Sequence, residues 1–414
     1  MAREMIHSGI EWIGEIPKEW RIGKVKNYYS LQTGFTPDTK NELYYDDNGL
    51  PWVNISDIGD SHYINTTKKR ISQYYISKYN PTIVPKGSLL YSFKLSVGTV
   101  AIAGIDLYTN EAIASFLQGE NVNLNYLFYS SQVCIIHNAN ENIYGAKLLN
   151  QDLINNATIL FPSLPEQQKI ANYLDKVCGE VDEMIALQEQ MIEELKAYKQ
   201  SVITEAVTKG LNPGVSMKDS GIDWIGEVPD HWEVKKIGYV FYNLDYLREP
   251  ISAELRERNN PQYDYYGASG VIDKIDHYNV EDKVLLIGED GANLVMRNLP
   301  LIYKAEGKFW VNNHAHILKP IKDDYNYMAH TLEAADYRNY ITGFAQPKLS
   351  QENLKAVKLP VPPLSEQQSI ASYLDTKCAE IDALIAIKQA KIEELKEYKK
   401  SVIYEYVTGK KEVV

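Results

Sequence analysis

Residues 161–210 read FPSLPEQQKIANYLDKVCGEVDEMIALQEQMIEELKAYKQSVITEAVTKG, and residues 361–410 read VPPLSEQQSIASYLDTKCAEIDALIAIKQAKIEELKEYKKSVIYEYVTGK. The two stretches are identical at 28 of 50 positions, at a constant offset of 200 residues. Internal repetition of this length constrains the architecture into which every local element must fit. The chain is therefore expected to contain two copies of one helical scaffold.

Both stretches have an apolar period close to 3.5 residues, which is typical of a coiled coil. Two heptad lines form the predicted seam of the first copy: Gln167, Leu174, Val181, Gln188, Leu195 and Val202 in one, and Ile170, Val177, Met184, Met191 and Tyr198 in the other. The second copy keeps Leu374, Ile381, Leu395 and Val402 but has Lys377, Lys388 and Lys391 at core-type positions. One flank of the second helix is therefore expected to be more exposed.

A flanking apolar line widens the stripe in both copies. It runs through Cys178, Ile185 and Ile192 in the first copy and through Cys378, Ile385 and Ile392 in the second. Because a two-stranded seam does not need this line, it predicts contact with a further surface.

Each stretch, if helical throughout, forms a rod of about 66 Å at 1.5 Å per residue. Two such rods pair most simply antiparallel, which would relate the flanking domains by a pseudo-twofold axis. The rods could merely tether these domains. They could also set a defined separation, as a ligand with its own repeat would require, for example duplex DNA at about 34 to 36 Å per turn.

The segments between the repeats have largely diverged, although both open alike, with GIEWIGEIPKEW at 9–20 and GIDWIGEVPDHW at 221–232. Short β-branched and aromatic runs punctuated by Gly, Pro, Asn and Asp predict strands with tight turns, and fewer segments have a helical pattern. The fold class is therefore α+β, with two mixed domains at 1–160 and 211–360, a central spacer helix at 161–210 and a C-terminal spacer helix at 361–414.

Composition limits the partners and the compartment. The net charge is −12 and no segment is basic, which argues against indiscriminate binding to phosphate backbones. Three cysteines are too few for a disulfide framework, and no apolar run reaches the length of a membrane span. These features indicate a soluble, cytoplasmic protein without a signal peptide.

Motifs for catalysis are mostly missing from the sequence. The Pro-Pro pair at 362–363 lacks the polar and aromatic neighbours of an adenine methyltransferase loop, and no P-loop is present. Asp230, Glu233 and Lys235 imitate a nuclease set only loosely, because the other copy has Lys18, Arg21 and Gly23 there. No catalytic residue is assigned.

His314 and His316 alternate along a run, FWVNNHAHIL at 309–318, that has the pattern of one strand. On a strand both would face one side, as two metal ligands do, but a third ligand with convincing spacing is missing. Ordinary strand histidines, or a polar strand that touches a ligand together with Asn312 and Asn313, fit the pattern better. No metal site is assigned.

Candidate DNA contacts follow from side-chain chemistry. Asn can bond adenine in a bidentate way, and Lys or Arg can bond guanine. The candidates are Asn54, Lys94, Arg297, Asn312, Asn313 and His314, together with the local basic cluster Lys68, Lys69 and Arg70.

Taken together, these residues resemble the specificity subunit of type I restriction-modification systems, over essentially the whole chain. The resemblance is carried by the two openings, by LQTGFTP at 31–37 and VPKGSLLYS at 84–92, by GASG and WVNNHAHIL in the second segment, and by the paired PxLxEQQxIAxYLD helix starts. It implies a non-catalytic reader of double-stranded DNA, with two target recognition domains that each bind one half of a bipartite, asymmetric site.

The resemblance also implies partners. Two modification subunits would supply S-adenosylmethionine and methylate adenine N6, and two restriction subunits would supply ATP- and magnesium-dependent translocation and cleavage. No cofactor is expected in this chain. The flanking lines at Ile185, Ile192, Ile385 and Ile392 are the predicted docking contact for the modification subunits. The acidity of the chain departs from a simple DNA-binding protein and argues against strong DNA binding without these partners.

Two alternatives remain open at this point. One is a coiled-coil adaptor whose end domains bind proteins or glycans, which predicts no sequence-dependent retention of DNA. The other is a metal-dependent nuclease built on His314 and His316, which metal analysis of the purified protein would reveal.

Overall fold

The computed structural model describes residues 3–59, 61–119, 122–143, 145–256, 262–343 and 346–413. The chain divides into two units. Unit 1 comprises Met1–Gln188 and Lys391–Val414, and unit 2 comprises Glu189–Ala390. Each unit thus contains one variable segment together with part of each long helix.

Unit 1 is built mainly from short strands. Its strands are β1 (Met5–His7), β2 (Glu15–Pro17), β3 (Arg21–Lys24), β4 (Leu31–Thr33), β5 (Tyr45–Val53), β6 (Tyr63–Ile64), β7 (Lys69–Ile71), β8 (Leu89–Ser92), β9 (Val100–Ala103), β10 (Tyr108–Thr109), β11 (Ile113–Phe116), β12 (Asn140–Glu141), β13 (Lys147–Leu148) and β14 (Thr158–Phe161). Its α-helices are α1 (Gln73–Tyr79), α2 (Leu124–Cys134), α3 (Gln151–Asn155), the first part of α4 (Leu164–Lys209) and the last part of α10 (Leu364–Val407).

The central sheet of unit 1 has five strands in the order β4-β11-β8-β9-β6. Successive residues of a strand point to opposite faces of a sheet. Leu89 and Tyr91 accordingly face one apolar core, whereas Leu90 faces another. A second sheet, β10-β5-β7, contains a parallel pair in which Thr109 lies opposite Val53.

Unit 2 contains strands β15 (Met217–Asp219), β16 (Glu227–Pro229), β17 (Glu233–Lys236), β18 (Phe241–Asn243), β19 (Tyr263–Gly267), β20 (Gly270–Ile275), β21 (Val280–Gly288), β22 (Ile302–Val311), β23 (Ala315–Pro320) and β24 (Lys358–Val361). Its helices are α5 (Ile237–Val240), α6 (Ala253–Arg256), α7 (Asn293–Met296), α8 (Tyr325–Ala334), α9 (Gln351–Ala356) and most of α10 (Leu364–Val407), besides the second part of α4.

The main sheet of unit 2 has six strands in the order β18-β23-β21-β22-β19-β20. Side chains alternate between the two faces of this sheet as well. Leu285 and Ile287 face the larger of two apolar cores in unit 2, and Leu286 faces the smaller core. Asn150 caps α3 in unit 1 and Ser350 caps α9 in unit 2, each through a side-chain oxygen that accepts a backbone N–H.

The start of each long helix is held by the same three contacts, which explains the Glu-Gln pair that both copies share at 166–167 and 366–367. Trp20 Nε1–H donates to Glu166 at 3.1 Å in unit 1, and Trp232 Nε1–H donates to Glu366 at 3.0 Å in unit 2. Gln167 and its counterpart Gln367 are buried. Each accepts the backbone N–H of the residue that caps α2 or α8 and donates to the carbonyl of the proline five residues before it.

In each unit, a buried tyrosine of the variable domain contacts the C-terminal end of one long helix. That helix is the one that follows the other variable domain in sequence. In unit 1 the hydroxyl of Tyr126 lies 3.1 Å from the Leu160 carbonyl and 3.4 Å from the Val407 carbonyl. In unit 2 the hydroxyl of Tyr327 lies 3.1 Å from the Pro360 carbonyl and 3.3 Å from the Val207 carbonyl. Val207 and Val407 occupy matched repeat positions.

The long helices pair antiparallel within each unit. In unit 1 Lys399 Nζ lies 2.7 Å from both oxygens of Asp182, and the rings of Tyr173 and Tyr406 lie 4.4 Å apart. Unit 2 repeats the ion pair with Lys199 and Asp382, also at 2.7 Å. Partner numbers fall on one helix as they rise on the other, which is the antiparallel register. The α+β class with an internally repeated scaffold is therefore confirmed.

One assignment within the seam was wrong. The predicted second line is exposed at Met184, Met191 and Tyr198, whereas the line assigned to a further surface is buried at Cys178 and Ile192. Both lines lie three or four residues from the correctly predicted Leu174–Val181 line, so heptad spacing alone cannot distinguish them. The second copy confirms the exchange, because Cys378 and Ile392 are buried there too.

Among the described residues, the helices lack the combination of length and apolar character that crossing a membrane requires.

Candidate nucleic-acid interface

Each unit has a polar turn at one end of its main sheet, and we call it the asparagine turn. It comprises residues 110–112 in unit 1 and 312–314 in unit 2. Asn110 N–H donates to the Val53 carbonyl, and its side chain accepts the Ala112 N–H at 3.1 Å. Asn312 N–H donates to the Tyr266 carbonyl, and its side chain accepts the His314 N–H at 2.8 Å. The two turns are thus structurally equivalent.

In unit 1 the asparagine turn gathers two of the predicted DNA contacts. Asn54 follows Val53, whose carbonyl accepts the N–H of Asn110 in the turn. Phe93 N–H donates to the Ala112 carbonyl, so the next residue, Lys94, lies beside the turn. Lys94 is exposed. A hydrogen bond from Thr36 lowers the pKa of Glu111 within the turn, with smaller contributions from a backbone hydrogen bond and the charge of Lys94, although burial opposes this.

The side chain of Asn54 already has partners. It accepts the Ser56 N–H at 2.7 Å, and Asp57 accepts the Asn54 N–H at 2.9 Å, which is a capping box at a short 3-10 turn. Any contact of Asn54 with a base would therefore use its remaining amide N–H groups.

The basic cluster of unit 1 divides into three different environments. Lys68 Nζ donates to the Ser56 carbonyl at 2.9 Å, and Arg70 Nε donates to the Gly49 carbonyl at 2.7 Å. Lys69 is exposed and its Nζ lies 5.5 Å from the centre of the Tyr45 ring. Of the three, Lys69 is best placed to reach a phosphate.

In unit 2 the asparagine turn gathers Asn312, Asn313 and His314, so three predicted contacts lie together. Asn313 and His314 are exposed, whereas Asn312 is buried and serves the turn itself. His314 Nδ1 lies 2.7 Å from Asp290. FWVNNHAHIL is therefore two strands with a turn between them, because the Asn312 side chain and the 314 amide close the turn before β23 begins.

Arg297 lies elsewhere in unit 2. Its guanidinium donates to the carbonyls of Glu333 and Ala335 at the end of α8, and it lies 5.7 Å from the centre of the Tyr337 ring. It lines a groove of about 1180 Å³ with apolar residues of α7 and the following loop. The contacts of Arg297 are therefore with the end of α8 and with Tyr337, and not with the residues of the asparagine turn.

The two histidines have different environments. His316 is fully buried and its ring nitrogens contact Asp245 and the Leu349 carbonyl, whereas His314 is half exposed beside Asp290. Across the described residues, no group of three or more His, Cys, Asp or Glu side chains is arranged to hold a metal ion.

The four predicted docking residues fall into two pairs that differ in burial. Ile192 and Ile392 are buried, with 6% and 7% of their surface exposed, which contradicts their assignment to a contact with another protein. Ile185 and Ile385 are half-buried.

Exposed apolar side chains on the helices occupy matched positions instead, and we call these two sets the helix faces. They are Met184 and Leu187 on α4, within unit 1, and Leu384 and Ile387 on α10, within unit 2.

Sequence reasoning missed several residues that form or support the asparagine turns. Asn110 was missed because a single Asn in a loop carries no signal until its hydrogen bonds are known. Arg248, Glu289 and Asp290 were missed because they are distant in sequence from the asparagine turn that they contact. TNEAI at 109–113 and VNNHA at 311–315 share only the asparagine, so sequence comparison gave no signal that the two turns are equivalent.

Comparison with known proteins agrees with this arrangement. The family model described as Type I restriction modification DNA specificity domain matches residues 17–197 and again 229–397. A putative type I restriction enzyme MjaX specificity subunit of Methanocaldococcus jannaschii is 26% identical over 431 residues, which cover 96% of this chain and 95% of that protein. A putative specificity subunit of Haemophilus influenzae, S.HindORF215P, is 32% identical over 149 residues, 36% of this chain and 37% of that protein.

The fold also has a solved counterpart. A structure that describes complex assembly and conformational transition of the type I R-M system contains a chain that superposes with a TM-score of 0.69 at 16% identity, covering 95% of this chain and 98% of that one. With two matches to the family model that together span most of its length, the chain belongs to the type I restriction-modification DNA specificity family.

Proposed function

We propose that this chain is the DNA-recognition subunit of a type I restriction-modification complex, and that each unit reads one half of a bipartite, asymmetric site. The observation that carries the proposal is a contrast within the chain. The contacts of Trp20, Gln167 and Tyr126 in unit 1 recur in unit 2, whereas the side chains around the asparagine turns differ. Equivalent scaffolds with unlike polar ends suit equivalent partners and unlike half-sites.

The proposal assigns recognition alone to this chain. Methyl transfer from S-adenosylmethionine to adenine N6 would take place in two modification subunits, and ATP-dependent translocation and cleavage in two restriction subunits. The net charge of −12 supports this division, because a duplex held mainly by this chain would require surplus positive charge. We place the assembly in the cytoplasm, consistent with three buried free cysteines.

The helix faces are the proposed docking surfaces for the two modification subunits. Met184 and Leu384 are 46% and 47% exposed, and Leu187 and Ile387 are 57% and 63% exposed. Contiguous exposed apolar residues on a protein often mark an interaction site. Two surfaces with matched residues and matched exposure suit two copies of the same partner.

The test is methylation mapping. A host lacking other adenine methyltransferases would express this chain with its modification subunit, and its genome would be sequenced for methylated adenine. The expected result is a motif with two specific halves and a gap of constant length. Partner and chain present together without any sequence-dependent methylation would contradict the proposal and favour an adaptor.

A further inference from the structure

Each long helix carries an aspartate near its start that contacts the variable domain packed against it. These residues, Asp175 on α4 and Asp375 on α10, occupy matched positions of the repeat, in ANYLD and ASYLD. In unit 1 the Tyr129 hydroxyl donates to Asp175 at 2.7 Å. In unit 2 His330 Nε2 lies 2.8 Å from Asp375. Both partners lie three residues after the buried tyrosine of α2 or α8, so one helix of each variable domain is tied to an acid of the scaffold.

The two partners differ in chemistry, but both are neutral donors. Burial, followed by the hydrogen bond to Asp175, raises the pKa of Tyr129 far above its ordinary value. Burial lowers the pKa of His330, and the hydrogen bond to Asp375 only partly opposes this. Because a carboxylate oxygen can only accept, His330 Nε2 carries the hydrogen. A phenol in one unit and an imidazole in the other therefore make the same contact.

A second contact to each aspartate comes from the sheet of the variable domain. In unit 2 Lys304 of β22 has its Nζ 3.5 Å from Asp375. In unit 1 His62, just before β6, has its Nδ1 3.9 Å from Asp175. The His62 ring is stacked on Phe128, with 3.9 Å between the ring centres. Each aspartate thus faces one nitrogen group from a sheet and one donor from a helix.

The two sheet residues are not equivalent in the fold. Leu89 and Leu285 occupy matched positions, each four residues before the residue whose N–H donates to the asparagine turn. Leu89 is paired with Ile102, whereas Leu285 is paired with Lys304. Ile102 is buried, and its N–H donates to the His62 carbonyl. Where unit 2 has a lysine, unit 1 has an apolar residue, and its neighbouring segment supplies a histidine instead. Two diverged domains therefore reach the same acid by different routes.

A second aspartate lies one heptad further along each helix and has a different partner. Asp182 pairs with Lys399 in unit 1, and Asp382 pairs with Lys199 in unit 2. Each helix thus uses one acid for the variable domain and the next for the other helix. The side chains of the first acids are 38% and 41% exposed. Polar contacts at such positions specify orientation more than they add stability.

A small rotation of a variable domain about its anchor has a large effect at the DNA. A domain of about 150 residues has a radius of gyration of about 15 Å, so a rotation of about 10° moves its far surface by about 3 to 5 Å. The rise of duplex DNA is about 3.4 Å per base pair. The tilt of each domain therefore has to be fixed closely if the chain is to accept a single gap length.

We propose that Asp175 and Asp375 are positioning residues that fix the tilt of each variable domain on its long helix, and thereby the length of the unread gap that the chain accepts. This inference rests on the proposed function and deepens it. The helices set the separation of the half-sites, and the two aspartates set how strictly that separation is kept. Loss of one contact lets a domain rock, so duplexes with a shorter or longer gap become substrates while the preferred bases stay the same.

The test measures gap selectivity apart from base selectivity, in the complex with the modification subunit. The probes are duplexes carrying the mapped motif, duplexes with the gap one base pair shorter or longer, and duplexes with one base changed in either half. Methylation rates on these probes give a gap ratio and a base ratio. Asp175→Ala is expected to lower the gap ratio about fivefold or more, as for the loss of a hydrogen bond to a charged group. The base ratio is expected to stay unchanged.

Exchanges at residue 129 separate the contact from the packing of the ring. Tyr129→Phe keeps a buried ring but removes the donor, so it is expected to lower the gap ratio as Asp175→Ala does. Tyr129→His supplies the donor that unit 2 uses, and it is expected to keep a higher gap ratio than Tyr129→Phe. Glu183→Ala is the matched control, because Glu183 is an exposed acid of the same helix and the second copy has Ala383 there. It is expected to leave both ratios unchanged.

Wild-type gap ratios in both Asp175→Ala and Tyr129→Phe would refute the inference. So would a gap ratio that falls together with the base ratio, or equal gap ratios in Tyr129→Phe and Tyr129→His. If Asp175→Ala does not fold, the two exchanges at residue 129 decide. A wild-type chain that directs no sequence-dependent methylation refutes the proposed function instead.

Discussion

At the scale of single residues, the scaffold depends on buried polar groups with repeated partners. Tyr327 is fully buried and its hydroxyl serves two carbonyls, one of them from the end of α4. Burial raises the pKa of this phenol far above its ordinary value, so it remains a neutral donor. Tyr126 repeats the arrangement in unit 1, which shows that the tyrosine belongs to the scaffold and not to a reader surface.

We expect Tyr327→Phe to destabilise the protein by about 1 to 3 kcal/mol, because two buried carbonyls lose a donor. The measurement is the urea dependence of tyrosine and tryptophan fluorescence. Tyr242→Phe is the matched control, since Tyr242 is 56% exposed and its substitution should change stability by no more than about 0.5 kcal/mol. Equal effects of the two substitutions would contradict this account of Tyr327.

Asn313→Ala is expected to relax the preference for one base in one half-site, with a cost of about 1 to 3 kcal/mol against the preferred base. The reason is that the side chain of Asn313 is exposed on the asparagine turn, where it can reach a base. The backbone of the turn is fixed there, because the Asn313 carbonyl accepts a hydrogen bond from Arg248. Methylation rates on probes with each base at each position give the measurement. Asn212→Ala, an exposed asparagine outside the turn, should leave all preferences unchanged.

Lys69→Ala is expected to weaken DNA binding about equally for all sequences and to reduce the slope of log affinity against log salt by about one. This result follows if Lys69 contacts a phosphate, as its exposure allows. Binding of labelled duplex by the complex at several salt concentrations is the readout, with Lys400→Ala as the control on a helix. A change in sequence preference would instead make Lys69 a base contact.

At the scale of elements, the long helices use two apolar lines for pairing and leave a third at the surface. The buried lines include Leu174, Cys178 and Val181, with Asp182 paired to Lys399 beside them. Ion pairs at exposed positions contribute little to stability but can specify register and orientation. The matched pair in unit 2, Lys199 with Asp382, supports such a role.

We expect Leu187→Asp combined with Ile387→Asp to reduce copurification of the modification subunit about tenfold or more, because both helix faces lose apolar contact. These residues are 57% and 63% exposed, so the chain itself should remain folded. Circular dichroism and gel filtration check the fold. The pair Leu187→Met and Ile387→Met should retain the partner. Normal assembly of the aspartate variant would exclude the helix faces as the docking surface.

At the scale of the whole molecule, the proposed function assigns recognition and assembly to separate parts of the sequence. We expect replacement of residues 21–150 by the matching segment of another family member to change one half of the methylated motif and to leave the other half and the gap intact.

Insertion of seven residues at matched positions of both helices should instead lengthen the gap, by about 10 Å or roughly 3 base pairs, with both halves kept. Methylation mapping distinguishes the outcomes, and a domain exchange that alters both halves would contradict the division.

The sequence by itself determined the repeat, the helical period and the family, because each depends on local spacing or on identity at a fixed offset. Only the tertiary structure decided which apolar line became the seam, because the lines three residues and four residues after a core position are equivalent until a partner helix covers one of them. It also decided the asparagine turns. Asn54 and Asn110 are distant in sequence, as are His316, Asp245 and Leu349, and contacts of that kind exist only after the sheet has paired.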